Sequence, residues 1–325
     1  PYGIAETPAA QDLRIQDLSR RNEGLLPPPP RYTLQVLHAS DMEGGLDAPK
    51  DAPNFAAVID TLEGTYANTV ILSSGDNFIP SPFLSAGEDP SLQTPLRNAT
   101  NVFYLGQHLV RPAIGRPDIS ILNLIGFNAS VFGNHEFDLG TGELNSMIGV
   151  DIRSNGADKR WVGAQFPYLS ANLNFSADAN LSYLVTADGQ ADTAFRTPAN
   201  ITANSQKKGI ARSVVITRGG EKIGIVGATT QVLASISSPG ATTVVGPTVN
   251  DMPALAGILQ PVIDSLRIGQ GINKIIVLSH LQQLSLEQAL APLLNGVDVI
   301  IAGGSHSLLA DGNDILRPGD VAVGT

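Results

Sequence analysis

The sequence contains no cysteine among its 325 residues, and this absence excludes several kinds of functional site. Disulfide bonds, thiolate-bound zinc, iron–sulfur clusters and cysteine nucleophiles all need the sulfur of that residue. Charged residues are also scarce, at 15% of the chain, where an average domain has roughly 25%. Because 42% of the residues are hydrophobic, the chain can still bury a large core, and we do not expect it to be disordered as a whole.

The balance of charge narrows the choice of partners. The chain has 20 Lys and Arg residues and 30 Asp and Glu residues, which gives a formal net charge of −10. A nucleic-acid polymer is therefore not an expected partner, because its phosphates need a basic surface. No apolar run approaches the roughly 18 residues that a membrane-spanning helix needs, so no membrane span is predicted. The composition gives no indication of the oligomeric state.

A run of four prolines at residues 27–30 divides the chain into two parts. Residues 1–30 are predicted to form an N-terminal extension that ends in this stiff linker. Residues 31–325 are predicted to form one folded domain. In that domain, β-like runs alternate with helical or loop stretches, and this alternation indicates an α/β fold.

The prediction of an α/β fold depends mainly on five β-like runs in this domain. Most are rich in Val, Ile and Leu, as expected for strands that are buried on both faces. Helices are predicted between them, including residues 54–62 and 284–294. The polar stretch 175–209 lacks a clear period and is predicted to be a long surface excursion. The predicted strands span residues 32–40, 69–74, 129–132, 274–279 and 297–302.

Each of the five predicted strands ends near a side chain that can bind a metal ion. Open α/β sheets bind ligands at the carboxyl ends of their strands, so we expect these side chains to meet in one pocket. Carboxylates can bridge two divalent cations, and neutral Asn and His complete the coordination without excess negative charge. The side chains, in chain order, are Asp41, Asp76, Asn134 with His135, His280 and His306.

The motifs around these residues resemble those of the calcineurin-like metallophosphoesterases, and within them the 5′-nucleotidase branch. They occur in the family's order as DME, GDNF, GNHEFD, LSH and AGGSH, and the phrases FPYLSANL and IGIVGATT also resemble that branch. The resemblance covers residues 31–325. It implies a four-layer α/β/β/α sandwich, in which two mixed β-sheets are flanked by helices.

The resemblance also implies a metal centre of two divalent cations, which could be manganese, zinc, magnesium, iron, cobalt or calcium. Asp41 would bind the first cation, and Asp76 would bridge both. Asn134 and His280 would bind the second cation, and His306 would bind the first. The reaction implied is the hydrolysis of phosphate monoesters, by a 5′-nucleotidase or a phosphatase of broad specificity.

Two further residues have catalytic roles by the same resemblance. His135 would not bind a metal ion but would assist the leaving group, while a hydroxide between the two cations attacks phosphorus. Asp138 would orient His135 and support its charge. A carboxylate partner raises the pKa of an imidazole, which keeps it a useful acid near neutral pH.

Two positions depart from the family's motifs. Glu43 stands where the first motif has a histidine. It shares strand parity with Asp41, so both can face one cation, and an added carboxylate favours manganese, magnesium, iron or calcium over zinc. In a gapless alignment of the last motif, which we prefer, Gly304 replaces a histidine of the second site. An inserted serine would instead make His306 a ligand of the second cation and place Leu308 at the first.

These departures leave alternatives open. A phosphodiesterase or nucleotide-sugar hydrolase of the same family is one, and a non-catalytic metal-binding relative with a damaged site is another. The expected partner is a small phosphate ester, such as a nucleotide. Members of this branch usually carry a C-terminal substrate-binding domain, which would lie outside this chain. The resemblance also implies a periplasmic or extracellular location.

Overall fold

Two five-stranded β-sheets organise the computed structural model, which describes residues 32–45, 47–103, 110–153, 158–198 and 207–322. The chain divides into an N-terminal unit, Pro1–Leu34, and a second unit, Gln35–Thr325, to which both sheets belong. The predicted extension at residues 1–30, with its proline run, lies outside the described residues.

Fourteen strands occur within the described ranges, and most are short. In chain order they are β1 (Gln35–Ala39), β2 (Thr69–Ser73), β3 (Ala129–Val131), β4 (Asp151–Arg153), β5 (Asp158–Trp161), β6 (Tyr168–Leu169), β7 (Leu173–Asn174), β8 (Gln190–Ala191), β9 (Ile210–Ala211), β10 (Ser213–Arg218), β11 (Glu221–Thr229), β12 (Thr243–Val244), β13 (Ile275–His280) and β14 (Val299–Gly303). The first sheet has the order β1-β2-β3-β6-β9 and the second has the order β14-β13-β11-β10-β8.

The two sheets differ in the direction of their strands. Every pairing in the first sheet is parallel. The second sheet contains one antiparallel pair, β10 with β11, because Gly219 and Gly220 form a two-residue turn in which both have positive φ. The prediction of an α/β fold with two sheets and flanking helices is confirmed. The expectation that both sheets are mixed needs correction, since only the second contains both strand directions.

Helices and sheets share two hydrophobic clusters. The first cluster joins helices to the first sheet through side chains such as Ile59 and Ile71, and the second joins helices to the second sheet through Leu259 and Val277. The α-helices of the described ranges are α1 (Ala48–Glu63), α2 (Pro82–Ala86), α3 (Gln93–Phe103), α4 (Arg116–Ile125), α5 (Gly140–Ile148), α6 (Leu233–Ile236), α7 (Met252–Asp264) and α8 (Leu284–Leu290). No helix in this part of the chain is long and apolar enough to cross a lipid bilayer.

Helix α7 shows how the sequence specifies one of these packed elements. The Asp251 side chain accepts a hydrogen bond of 2.9 Å from the backbone N–H of Ala254, which satisfies a donor at the start of the helix. Leu255, Leu259 and Val262 are spaced four and three residues apart and are buried together. This spacing places them on one face of the helix, so α7 covers the second sheet with its apolar side.

The two sheets meet closely enough to bring their strand ends together. Gly227 of β11 lies against β6, where a Cβ atom would be 2.5 Å from the carbonyl carbon of Leu169, so only glycine fits. The hydroxyl of Thr229 donates a 3.0 Å hydrogen bond to the carbonyl of Phe132, directly after β3. The carboxyl ends of strands from both sheets therefore line the same region.

All five predicted strands are present, with ends that differ by three residues at most. The predicted helix 54–62 falls within α1, and the predicted helix 284–294 corresponds to α8 and a 3₁₀ turn that ends at Leu293. The stretch 175–209 is more than a surface excursion, because Leu181 and Phe195 are buried and β8 pairs with β10 in the second sheet. Its residues 199–206 lie outside the described ranges.

Candidate metal centre

The predicted ligands lie at neighbouring strand ends and form two groups that share Asp41. One ligand atom each from Asp41, Asp76 and His280 lies within 4.8 Å of the others. The same is true of Asp41, Glu43 and His306. We call Asp76, Asn134 and His280 the buried group, because each is less than a tenth exposed, and we call Asp41, Glu43 and His306 the rim group.

In the buried group, the imidazole of His280 is oriented by both of its nitrogen atoms. Its Nδ1 lies 2.7 Å from the carbonyl oxygen of Ser74, which only accepts hydrogen bonds, so Nδ1 carries a hydrogen. Its Nε2 lies 2.9 Å from Asp76 Oδ2 and 3.2 Å from Asn134 Oδ1. A metal-binding histidine is held in this way, with one nitrogen donating to a carbonyl and the other facing the ligand atoms.

The carboxylate of Asp76 is fixed at the point where the loops after β2 and β3 touch. Its Oδ1 accepts a 2.8 Å hydrogen bond from the backbone N–H of His135. A Cβ atom on Gly133 would lie 2.1 Å from the same oxygen, so the GNHE motif needs its glycine to let this carboxylate approach. The position of Asp76 is therefore built from the sequence of both loops.

Glu136 is a component of the site to which the sequence analysis gave no role. Its buried carboxylate accepts hydrogen bonds from the backbone N–H groups of Gly133, Asp76 and Asn77 at 2.8, 3.0 and 2.9 Å. It also accepts a 3.0 Å bond from the Asn77 side chain. Burial and the charge of Asp76 raise the pKa of Glu136 to about 7, while these N–H groups act in the opposite direction. The only signal in the sequence is the glutamate of GNHE itself.

The rim group is more open than the buried group. His306 is 62% exposed, and its Nε2 lies 3.6 Å from Asp41 Oδ1 and 3.8 Å from Glu43 Oε1. The backbone N–H of Gly304 donates to both carboxylate oxygens of Asp41, at 3.1 and 3.0 Å. The structure thus brings Glu43 beside Asp41 and His306, although Asp41 and Glu43 lie beyond the end of β1 with a left-handed φ of 50°, so strand parity is not what places them together.

The two residues predicted to be catalytic form a pair beside the ligands. Nδ1 of His135 lies 2.5 Å from Asp138 Oδ2, and the hydroxyl of Ser237 donates a 2.8 Å bond to Asp138 Oδ1. Burial lowers the pKa of His135, but the hydrogen bond to Asp138 and the charges of Asp76, Asp138 and Glu43 outweigh it and raise the pKa. Ser237 is a further residue that the sequence analysis missed.

The donor set fits divalent cations. Asp41, Glu43 and Asp76 bring three carboxylates into one small region, where they repel one another unless positive charge is present. Burial lowers the pKa of His280, but its hydrogen bond to Asp76 and the charge of Asp76 outweigh this and raise the pKa to about 9. A cation bound at this nitrogen atom would have to replace a proton, as is common for metal-binding histidines.

An α/β sandwich with Asp, Asn and His donors at the strand ends of both sheets has the architecture of a metallophosphoesterase. No family model matches the chain. It is 26% identical over 289 residues to the trifunctional nucleotide phosphoesterase protein YfkN of Bacillus subtilis, an alignment that covers 87% of this chain and 17% of that protein. It is 30% identical over 305 residues to a 5′-nucleotidase of Diplobatis ommata, with 90% of this chain and 40% of that protein covered.

A solved structure shows the same fold. The 5′-nucleotidase precursor from Thermus thermophilus superposes with a TM-score of 0.59 at 24% identity, over 90% of this chain and 45% of that one. The chain belongs to the 5′-nucleotidase branch of the calcineurin-like metallophosphoesterases, which confirms the resemblance in the motifs. It spans less than half the length of these three relatives.

Proposed function

We propose that this chain hydrolyses phosphate monoesters of small molecules, with nucleotides as the substrate class, and that it uses two divalent cations. The observation that carries the proposal is the meeting of two donor groups with an imidazole–carboxylate pair at the same strand ends. The names of the relatives, a nucleotide phosphoesterase and 5′-nucleotidases, support the choice of substrate. The enzyme class is that of the phosphoric ester hydrolases.

We assign the two cations to the two donor groups. The rim group would hold the first cation and the buried group the second. We keep the bridging role for Asp76, whose carboxylate is fixed by the N–H of His135, and note that Asp41 also reaches both groups. Cations held there would supply positive charge to the phosphoryl oxygens and would lower the pKa of a bound water molecule.

The chain's own contribution to the chemistry comes from His135. Asp138 holds Nδ1, so the imidazole presents Nε2 to a substrate, and Ser237 holds Asp138 in turn. The raised pKa of His135 favours the protonated imidazole, which can donate its proton to the departing alkoxide. Asp138 is a positioning residue in this scheme, since it acts through His135.

The proposal is tested by removing and restoring metal ions. Protein treated with a chelator should not hydrolyse p-nitrophenyl phosphate or AMP, and added manganese should restore turnover of both. Glu43 provides a hard oxygen donor where the family has a histidine, so manganese or magnesium should restore more activity than zinc. No turnover of either substrate with any divalent cation would contradict the proposal.

A phosphodiesterase activity is the second candidate, because the YfkN relative is named a trifunctional nucleotide phosphoesterase. Bis-p-nitrophenyl phosphate, measured beside p-nitrophenyl phosphate in the same preparation, separates the two activities. We expect the monoester to be the better substrate. We also propose a periplasmic or extracellular location, in line with the precursor designation of the Thermus relative.

A further inference from the structure

The last motif of this chain has a glycine at the position where the family's motif places a histidine ligand. The structure leaves little room for a side chain at this position. Gly304 has a left-handed φ of +81°, and a Cβ atom there would lie 2.7 Å from His280 Nε2 and 3.1 Å from Gln282 Nε2. A histidine at position 304 would therefore collide with its neighbours and strain the backbone.

The side chain of Gln282 occupies the space beside Gly304. The Gln282 amide donates a hydrogen bond to Asn134 Oδ1, the same oxygen atom that His280 Nε2 approaches at 3.2 Å. Gln282 is half-buried and follows β13 by two residues. Its amide therefore contacts a predicted ligand of the second cation and lies beside another, although none of the motifs includes it.

The backbone conformation of Gln282 separately associates this residue with the predicted metal ligands. Within the described residues, five that are not glycine have a left-handed φ, and a non-glycine residue adopts this conformation at a cost. Four of them are predicted ligands, at positions 41, 43, 76 and 306, and the fifth is Gln282 with a φ of 76°. Strain of this kind is retained where a side chain must be aimed at a functional site.

We propose that Gln282 supplies a ligand to the second cation in place of the histidine that Gly304 lacks. A carboxamide carries its oxygen and its NH₂ group on the same planar end, and rotation by half a turn exchanges them. The end of the side chain that now contacts Asn134 can therefore present an oxygen atom to a cation held by Asn134 and His280. The inference rests on the proposed function in one respect, which is that a second cation binds there.

The proposal also explains why two departures from the family's motifs occur together. Glu43 replaces one histidine at the rim group, and Gln282 replaces another at the buried group, so each site exchanges a nitrogen donor for an oxygen donor. Oxygen donors favour hard cations such as manganese, magnesium and calcium, whereas zinc favours nitrogen and sulfur. The whole centre is thereby tuned towards a hard cation and is not a damaged zinc site.

The test is a titration of the chelator-treated protein with manganese. Calorimetry measures how many ions bind and how tightly, and electron paramagnetic resonance detects the signal of two coupled ions. The parent protein should bind two ions. Gln282→Ala should bind one ion as the parent does and the other roughly 10- to 100-fold more weakly, the loss typical of a disrupted metal site. Gln282→Glu should bind both, because its carboxylate supplies an oxygen atom at the same place.

Gln283→Ala is the matched control, because the neighbouring glutamine is exposed, and it should bind both ions as the parent does. Two ions bound by Gln282→Ala with parent affinities would overturn the inference and leave the proposed function intact. A parent protein that binds no manganese would overturn the proposed function, and the inference with it. Should Gln282→Ala fail to fold, loss of one ion from Gln282→Glu would contradict the inference by itself.

Discussion

The buried and rim groups of the candidate metal centre differ in how firmly the chain holds them. In the buried group, Asp76 and His280 are at most 2% exposed and lie 2.9 Å apart, and each has a further hydrogen bond of 2.7 or 2.8 Å to the backbone. In the rim group, His306 is 62% exposed and its contacts to the carboxylates of Asp41 and Glu43 are 3.6 and 3.8 Å. The protein therefore holds the buried group in short contacts, while the side chains of the rim group are more loosely placed.

The difference follows from the position of each strand in its sheet. The residues of the buried group lie at or just beyond the ends of β2, β3 and β13, which have a neighbouring strand on each side. The rim group follows β1 and β14, which are edge strands of the first and second sheets. Loops after central strands are enclosed by other loops, whereas loops after edge strands face solvent. The comparison predicts that substitutions in the buried group cost more than equivalent ones at the rim.

The largest effect is expected for Asp76→Asn. This change removes the charge that faces His280 and the proposed bridge between the cations, so phosphatase activity should fall roughly 10³-fold or more. The measurement is turnover of p-nitrophenyl phosphate at saturating manganese. Asp60→Asn, at an exposed position of α1, is the control and should keep the parent rate. A loss of less than tenfold in Asp76→Asn would contradict the role of the buried group.

A smaller loss is expected for His135→Ala, whose imidazole lies beside both groups. If His135 donates a proton to the departing oxygen, the loss should depend on how much help that oxygen needs. Hydrolysis of AMP releases the 5′ oxygen of adenosine as a poor alkoxide leaving group and should slow roughly 10²-fold, whereas p-nitrophenolate leaves readily and hydrolysis of its ester should be affected much less. The comparison of turnover rates for the two substrates checks this. Equal losses on both substrates would argue against proton donation.

Glu136→Gln tests what makes the buried half rigid. A glutamine can offer one oxygen to the four N–H groups that now bond to Glu136, and its NH₂ group would face the remaining donors. The free energy of unfolding should fall by about 1–3 kcal/mol. Denaturant unfolding of metal-free protein measures it, with the exposed Glu88→Gln as control. Unchanged stability would show that the carboxylate does not hold the two loops.

The smallest effect is expected at the rim, for His306→Ala. Because the imidazole is mostly exposed, its loss should weaken binding of one manganese ion by about tenfold and leave the stability of the metal-free protein unchanged. Calorimetric titration and thermal unfolding give the two values. A loss of activity as large as that of Asp76→Asn would remove the distinction between the halves.

The sequence predicts the strand ends and the main ligands because both signals are local. Runs of Val, Ile and Leu mark the buried strands, and the ordered motifs mark where Asp41, Asp76 and His280 lie. Strands such as β8 and β9 have two residues each, too few to show a period, so the polar stretch around them gave no such signal.

The supporting residues of the site escaped prediction because their roles depend on distant parts of the chain. Glu136 receives the N–H of a residue 60 positions earlier, and Ser237 reaches Asp138 across 99 positions. Gln282 acquires its place only because Gly304 leaves room beside it. Contacts of this kind arise when strand ends that are distant in the chain come together, within one sheet for Glu136 and between the sheets for Ser237, and a single sequence contains no local pattern for them.

The central claim is that this chain holds a pair of cations, one in each half of the site. Anomalous X-ray diffraction from crystals grown with manganese tests it most directly. We predict two peaks, one bounded by Asp76, Asn134, His280 and Gln282 and the other by Asp41, Glu43 and His306. A single peak, or none near Asp76 and His280, would contradict the account.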